Sequence, residues 1–457
     1  MRRVLGQLSA SPGIVLGILE ASLVALGCGV AFYRLVSAPT VVPGSSAGIV
    51  ATVIALAIVL LMYSGGLYDR DAVLNTRRVL WRIAIVTLPV WGIAVLVTGA
   101  LAKYTVAPIY PYRWQWTLAL TAVWLLLAVS SRLLFREVYR TGYFTRRILY
   151  LGPAHQGAEL SALASLGENG FRIVAQVDLS SDESCPNSSE LVTCARHAHA
   201  SEIVVAMEKN QPLLWQALFQ CRFSGLRVTE YLDFFERESR RLSVDNLRED
   251  WIALSQGFRF GRTGDLVRRL IDVALASIIL IVTAPLLVLT AIAIKLEDGG
   301  PVLYCQERIG FLGQSFVVLK FRSMRSDAER DGIPAWAMER DSRVTAVGRF
   351  IRKVRIDELP QFLNVLRGSM AIIGPRPERP YFVQQFSQMI PFYDYRHTVK
   401  PGITGWAQVS FRYGASLDDT KRKLSYDLYY IKHRSFLLDI IILLRTVGVV
   451  VRGDGAR

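Results

Sequence analysis

The stretch "RIDELPQFLNVLRG", Arg355 to Gly368, sets two adjacent carboxylates, Asp357 and Glu358, between a basic run (Arg349, Arg352, Lys353, Arg355) and a proline. Pro360 suits the first turn of a helix, and Leu359, Phe362, Leu363 and Leu366 give that helix an apolar face. Two chemistries follow. In the plainer one Asp357 caps the helix and Glu358 complements its dipole. In the other the two side chains diverge at the helix start, one toward a metal ion and one toward a substrate, with a carboxylate as nucleophile on phosphorus. Capping accounts for the position but not for the neighbours. "QERIGFLGQSF" and "VLKFRSMRSD" supply Arg308, Lys320, Arg322 and Arg325, and "IIGPRPERP" supplies Arg376 and Arg379 on a proline-stiffened loop. Guanidinium groups on rigid Gly/Pro framing suit bidentate phosphate recognition. Mg²⁺ together with these arginines would offset the repulsion between a carboxylate nucleophile and a diphosphate. Further on, "KPGITGWAQV" presents Lys400, Gly402, Gly405, Trp406 and Gln408, a tight glycine turn with an aromatic that either lines a nucleoside site or seals the fold.

The elements that must position these groups begin with membrane segments. The chain has 457 residues, is 52% hydrophobic and carries a net charge of +15, a balance that points to a membrane protein of two or three domains. Apolar stretches at Ala21–Tyr33, Gly48–Tyr63, Ile83–Ala102 and Trp114–Ser131 approach the roughly 20 residues a spanning helix needs. They predict a four-helix transmembrane bundle over residues 1–140. Arginines alternate across it, so both ends of the bundle are expected in the cytoplasm. A fifth stretch, Val273 to Ile294, is also long enough to cross, yet Pro285 interrupts it and basic residues flank it on both sides. A re-entrant segment over 266–296, broken at Pro285, satisfies both features; a proline-kinked spanning helix is the alternative. The last segment, "FLLDIIILLRTVGVVVRG", is expected on a membrane surface or at a dimer contact.

Between residues 145 and 255 the composition turns soluble. "RRILYLGP", "FRIVAQVDL" and "ASEIVVAME" read as buried strands alternating with helices, which predicts a Rossmann-like parallel α/β domain. Gly152 and Gly157 do not complete a dinucleotide fingerprint, so a nucleotide-sensing or structural role is preferred to a working cofactor site. The five cysteines show no CxxC pair. That fits a reducing compartment. Nucleic-acid binding is disfavoured because most basic residues border apolar segments instead of forming one exposed stripe. The residues thus describe a membrane-bound, metal-assisted phosphoryl-transfer enzyme; the competing reading is a non-catalytic membrane scaffold that senses a nucleotide.

The proline-interrupted stretch, "LKFRSM", "RIDELPQFLNVLRGSMAIIGPRPERP" and "KPGITGWAQV" together resemble the bacterial sugar transferase family of monotopic phosphoglycosyltransferases, in its large, exopolysaccharide-initiating branch. The resemblance covers the C-terminal two-fifths by motif and the rest by architecture. It implies a catalytic α/β domain with amphipathic surface helices over 262–457, on the cytoplasmic face of a bacterial inner membrane. The implied reaction moves a sugar 1-phosphate from a UDP-sugar to undecaprenyl phosphate. Asp357 would be the nucleophile, expelling UMP, and Glu358 beside it would hold Mg²⁺ at a site the two carboxylates share. Lys320, Arg322, Arg376 and Arg379 would contact phosphate, with Arg308 and Lys400 also expected at substrate. The family's helix-breaking pair is commonly Ser-Pro, whereas this chain has Ala284-Pro285. Membrane lipids and a second copy of the chain, as a homodimer, complete the expected partners.

Overall fold

In a computed structural model the described residues are 145–165, 170–178, 188–206, 212–255, 257–258, 261–325, 343–411 and 416–452, with isolated positions between 122 and 137. The expected four-helix bundle lies almost wholly outside them. The chain divides into two compact units between Tyr231 and Leu232.

In the first unit, strand β1 (Arg146–Leu151), helix α1 (Ala154–Ser165), β2 (Phe171–Val177), α2 (Ser188–His197), β3 (Glu202–Val205), α3 (Pro212–Phe223) and β4 (Arg227–Glu230) alternate. The strands form one parallel sheet in the order β2-β1-β3-β4. Runs such as "ILYL" and "EIVV" are buried along their length, as a sheet covered by helices requires. Leu149, Leu151, Ile203 and Val205 form its core with Leu191, Ala195 and Leu218 from the helices. Three of the four strands are legible in the sequence; β4, "RVTE", is too short and polar to announce itself. A Cβ on Gly152 would come within 2.6 Å of the Ala206 Cβ and 2.7 Å of the Tyr150 hydroxyl, which donates to the Pro153 carbonyl at 3.1 Å. The glycine serves close packing of this turn.

The second unit opens with α4 (Tyr231–Ser239) and α5 (Glu249–Leu254), followed by the 37-residue α6 (Arg262–Asp298). A hairpin of β5 (Leu303–Ile309) and β6 (Ser315–Phe321) follows. Next come α7 (Ala346–Lys353), a 3₁₀ turn over Ile356–Glu358, α8 (Gln361–Arg367), β7 (Ala371–Ile373) and α9 (Pro380–Met389). After a 3₁₀ turn at Tyr393–Thr398 the chain ends in β8 (Gly402–Thr404), α10 (Trp406–Ser410), α11 (Leu417–Lys432) and α12 (Phe436–Arg452), with β7 and β8 paired in parallel. The segment 232–255, expected with the α/β domain, belongs to this second unit. The reason is polar as well as apolar: buried Glu236 of α4 accepts from Lys432 at 2.7 Å and pairs with His433, and the Trp406 indole donates to the Arg240 carbonyl at 2.9 Å.

Helix α6 is the one helix among the described residues long and apolar enough to cross a membrane. It is continuous through Pro285. Its middle faces outward, with Ile281, Val282 and Leu289 largely exposed, while both ends are tied to the same unit. Near its start, Ala276 shares a core with Val318, Val365 and Met370, and Arg269 donates to the carbonyls of Val365 and Leu366. Near its end, Ile294 shares a core with Phe321, Ile351 and Ile356, and Glu297 accepts from the Val347 N–H at 3.1 Å.

Candidate active site

The Asp357–Glu358 pair does not cap helix α8. Pro360 is the N-cap residue, no side chain caps either the 3₁₀ turn or the helix, and the two carboxylates occupy the preceding turn. Arg355 enters that turn in the left-handed conformation, φ 60°, which costs an L-residue roughly 1–2 kcal/mol. The turn therefore exists because its surroundings hold it. Leu359 packs below it with Ile294 and Ile351. In α8 the buried face is Gln361, Asn364 and Val365, with Leu363 partly exposed, so the helix is rotated from the purely apolar face read in the sequence.

Asn364 explains the rotation. Its side-chain amide donates to the Val317 carbonyl at 2.7 Å and its oxygen accepts from the Leu319 N–H at 3.0 Å, so it pairs with the free edge of β6 as a strand would. This fixes the neighbouring Lys320 against the carboxylates, with Nζ 3.4 Å from Glu358 Oε1. The same oxygen accepts from Arg376 Nη2 at 2.6 Å. Asp357, 9% exposed, has an Oδ1 that is buried without any hydrogen-bond partner.

These surroundings push the two carboxylates apart. Burial, and then the charge of Glu358, raise Asp357 to about 6 against the pull of Lys320, Arg355 and Arg352. Burial would raise Glu358 too, but Arg376 and Lys320 outweigh it and hold this carboxyl well below the usual range. Arg376 and Lys320 thus favour the charged form of one acid, while burial disfavours it in the neighbour, whose Oδ1 has no hydrogen-bond partner.

Arg376 stands on the loop between β7 and α9, and that loop is held carbonyl by carbonyl. Pro375 O accepts from Gly402 N at 2.9 Å, Arg376 O from Arg396 Nη2 at 3.0 Å, Pro377 O from Arg308 Nη1 at 3.1 Å and Glu378 O from Ile309 N at 2.9 Å. Four consecutive acceptors are met from β8, the 393–398 turn and β5. Gly374 is required here, since a Cβ would lie 2.3 Å from the Lys400 carbonyl.

Of the residues expected at substrate, the structure brings Lys320 and Arg376 to the carboxylates. Arg308 instead braces the loop and Gln306. Arg322 is paired with Asp298 at the end of α6, and Arg379 is the backbone N-cap of α9. Lys400 has Arg269, Asp272 and Asp265 of α6 as its charged neighbours; burial and then Arg269 lower its pKa. Trp406 is buried, stacked with Tyr429 and bonded to Arg240 O, so of the two readings of its motif the structure supports sealing the fold. Asn364, Arg396 and Asp427 were not foreseen. A signal existed for Asp427: it falls on the buried stripe of α11 with Leu424, Leu428 and Ile431, where an acid must have a partner.

Comparison with known proteins adds a family. A model described as "Bacterial sugar transferase" matches residues 263–453. The chain is similar to a UDP-N-acetylgalactosamine-undecaprenyl-phosphate N-acetylgalactosaminephosphotransferase of Aeromonas hydrophila, 43% identical over 52% of this chain and 56% of the relative. It is similar to a UDP-glucose:undecaprenyl-phosphate glucose-1-phosphate transferase of Escherichia coli, 44% identical over 40% of this chain and 39% of the relative. A protein of the same description from Klebsiella pneumoniae is 32% identical over 73% of each chain. The match thus spans about two-fifths to three-fifths of the first two relatives and nearly three-quarters of the third.

Proposed function

Because the chain belongs to the bacterial sugar transferase family, we propose that it transfers a sugar 1-phosphate from a UDP-sugar to undecaprenyl phosphate, releasing UMP, through a covalent intermediate on Asp357. The observation that carries this reading is the state of Asp357, a buried carboxylate oxygen with no partner beside a clamped Glu358 and two cations. A structural acid would be expected to be satisfied; an unsatisfied one among phosphate-binding groups is poised for a reactant. The relatives' descriptions supply the substrate class.

In the first half-reaction an Asp357 oxygen forms a bond to the sugar-bearing phosphorus, and the bond from that phosphorus to the UMP oxygen breaks. In the second, an oxygen of the lipid phosphate attacks the same phosphorus, breaking the acyl-phosphate bond and restoring Asp357. Arg376 and Lys320 face the transferred group, and the braced 375–378 loop keeps Arg376 from relaxing as charge moves. The carboxylate pair fits Mg²⁺, which commonly takes one or two carboxylates and completes its shell with substrate phosphate and water. When bound there by Glu358 and Asp357, the ion would neutralise diphosphate charge.

The reading places the second unit on the inner face of the bacterial cytoplasmic membrane, with α6 entering and leaving by that face. What supports re-entry is that Ala276 and Ile294 join two cores of the same unit, each of which includes a residue of β6. Ala276 and Ile294 would be roughly 27 Å apart on a straight helix, yet the residues they pack near, Val318 and Phe321, are only about 10 Å apart along β6. Pro285 lies between them, where it leaves the Ile281 carbonyl without its helical donor. The Thr283 hydroxyl bonds the Ile279 carbonyl at 2.7 Å, a local bond that favours bending.

The test is UMP release from UDP-glucose and UDP-N-acetylgalactosamine by detergent-solubilised protein without lipid acceptor. About one equivalent per enzyme is expected, with a sugar-phosphate adduct on the Asp357 peptide and loss of both in chelator or in Asp357→Asn. Strict dependence of UMP release on lipid acceptor would point to direct attack by the lipid and remove Asp357 from the nucleophile role.

A further inference from the structure

We propose that Arg396 and Asp427 are positioning residues of this site, a buried strut that sets the Arg376 backbone so that its side chain meets Glu358 and the transferred phosphate. The proposal rests on the phosphoryl-transfer reading above. Arg396 is 6% exposed and Asp427 3%. Arg396 Nη2 donates to Asp427 Oδ2 at 2.9 Å and to the Arg376 carbonyl at 3.0 Å, while Nη1 donates to the Tyr393 hydroxyl at 2.7 Å. The Arg376 guanidinium then reaches Glu358 Oε1 at 2.6 Å. A continuous path runs from α11 through the 393–398 turn to the carboxylate pair.

Burying an ion pair is a poor way to gain stability, because desolvation often exceeds the Coulombic return and a well-packed apolar pair would serve as well. The fork does something an apolar pair would not do. The loop has few donors of its own, since Pro375 and Pro377 carry no N–H, so the Arg376 carbonyl must be met from outside. A guanidinium can hold an acid, a phenol and a carbonyl at once in fixed geometry. An ammonium is a point charge on a flexible stem, without that fixed fork. Strut, loop and Arg308 together leave Arg376 little freedom to follow substrate motion, and a misplacement of about 1 Å at a catalytic group is worth on the order of a hundredfold in rate.

The test compares Arg396→Lys, Asp427→Asn, Arg376→Lys and the pairwise combinations in the full-length protein. The probes are UDP-glucose and UDP-N-acetylgalactosamine, and the readouts are the rate and amplitude of UMP release, KM for the UDP-sugar and thermal unfolding. A positioning role lowers kcat by about a hundredfold in Arg396→Lys, with KM and burst amplitude near wild type. It also makes the effects non-additive: once Arg376 is Lys, adding Arg396→Lys costs less than about threefold more, because the strut acts through the residue already lost. Asp427→Asn, whose amide oxygen can still accept, falls between wild type and Arg396→Lys. Effects that multiply, or failure of both strut variants to fold, would overturn the proposal and leave the pair a structural ion pair. A wild-type protein that releases no UMP from either probe would overturn the phosphoryl-transfer reading itself, so the two failures are distinct.

Discussion

Replacing Arg376 by Gln removes one of the two cations in contact with Glu358. Breaking a buried ion pair from one side costs about 3–5 kcal/mol, because the surviving charge stays buried and unpaired. Here the figure is discounted, since Arg376 is 24% exposed and Lys320 remains 3.4 Å from Glu358. About 2–3 kcal/mol is left. At roughly 2–4 °C per kcal/mol for a unit of this size, the midpoint should fall by about 5–10 °C at neutral pH. Glu358→Gln in the same background removes the stranded charge and leaves Asp357 opposite Lys320, so most of the lost stability should return while UMP release stays lost. The assay is tryptophan-fluorescence melting of the detergent-solubilised single and double variants, with activity measured on the same samples. If the double variant melts no higher than Arg376→Gln alone, Glu358 is not the charge that Arg376 neutralises, and the electrostatic account of the site is wrong.

His397 should impose an acid lability. Burial and then the charge of Arg396 lower its pKa to about 4, so it is neutral when folded and protonates near its ordinary value when unfolded. Its contribution, up to about 3 kcal/mol, is present above pH 6.5 and lost as pH falls toward 4. Melting of His397→Gln against pH should be flatter across that window; an unchanged slope refutes the assignment. Asn364→Leu keeps the heavy-atom count and branching but strands the Leu319 N–H and Val317 carbonyl, and should cost about 2–4 kcal/mol in chemical unfolding; a loss under about 1 kcal/mol would show that β6 is fixed by packing alone. Single cysteines at Gly261 and Gln314, flanking α6, should both react with impermeant maleimide only from the cytoplasmic side. Labelling from opposite sides would make α6 a spanning helix.

The carboxylate pair and the Lys320 and Arg376 contacts to it were legible because charge, proline and glycine cluster in short motifs, and such clusters announce a site. The parallel α/β unit was legible because its strands are continuous apolar runs. Residues that act singly were not. Asn364 and Arg396 interrupt no pattern and belong to no motif, and their partners are far away in sequence. Capping stood as one of two readings of Asp357 because the left-handed turn at Arg355 is held by the packing of Ile356 and Leu359 under α6, which local propensity does not encode. Arg322 shows the limit of counting charges: it has the right type for phosphate, yet Asp298 at the end of α6 has the first claim on it.

The Glu236–Lys432 pair has a consequence for recombination among relatives. The family model matches from residue 263, which invites a cut or a swap there. Such a seam would discard Glu236, leaving buried Lys432 over the place of the missing Trp251 ring with no counter-ion, on the same helix that carries Asp427. It would also remove the acceptor of the Trp406 indole. A chimera joined just upstream of Leu232 keeps all three, so the transferable module is longer than the stretch the family model matches. The α/β unit ahead of it can be exchanged only if the recipient brings its own α4.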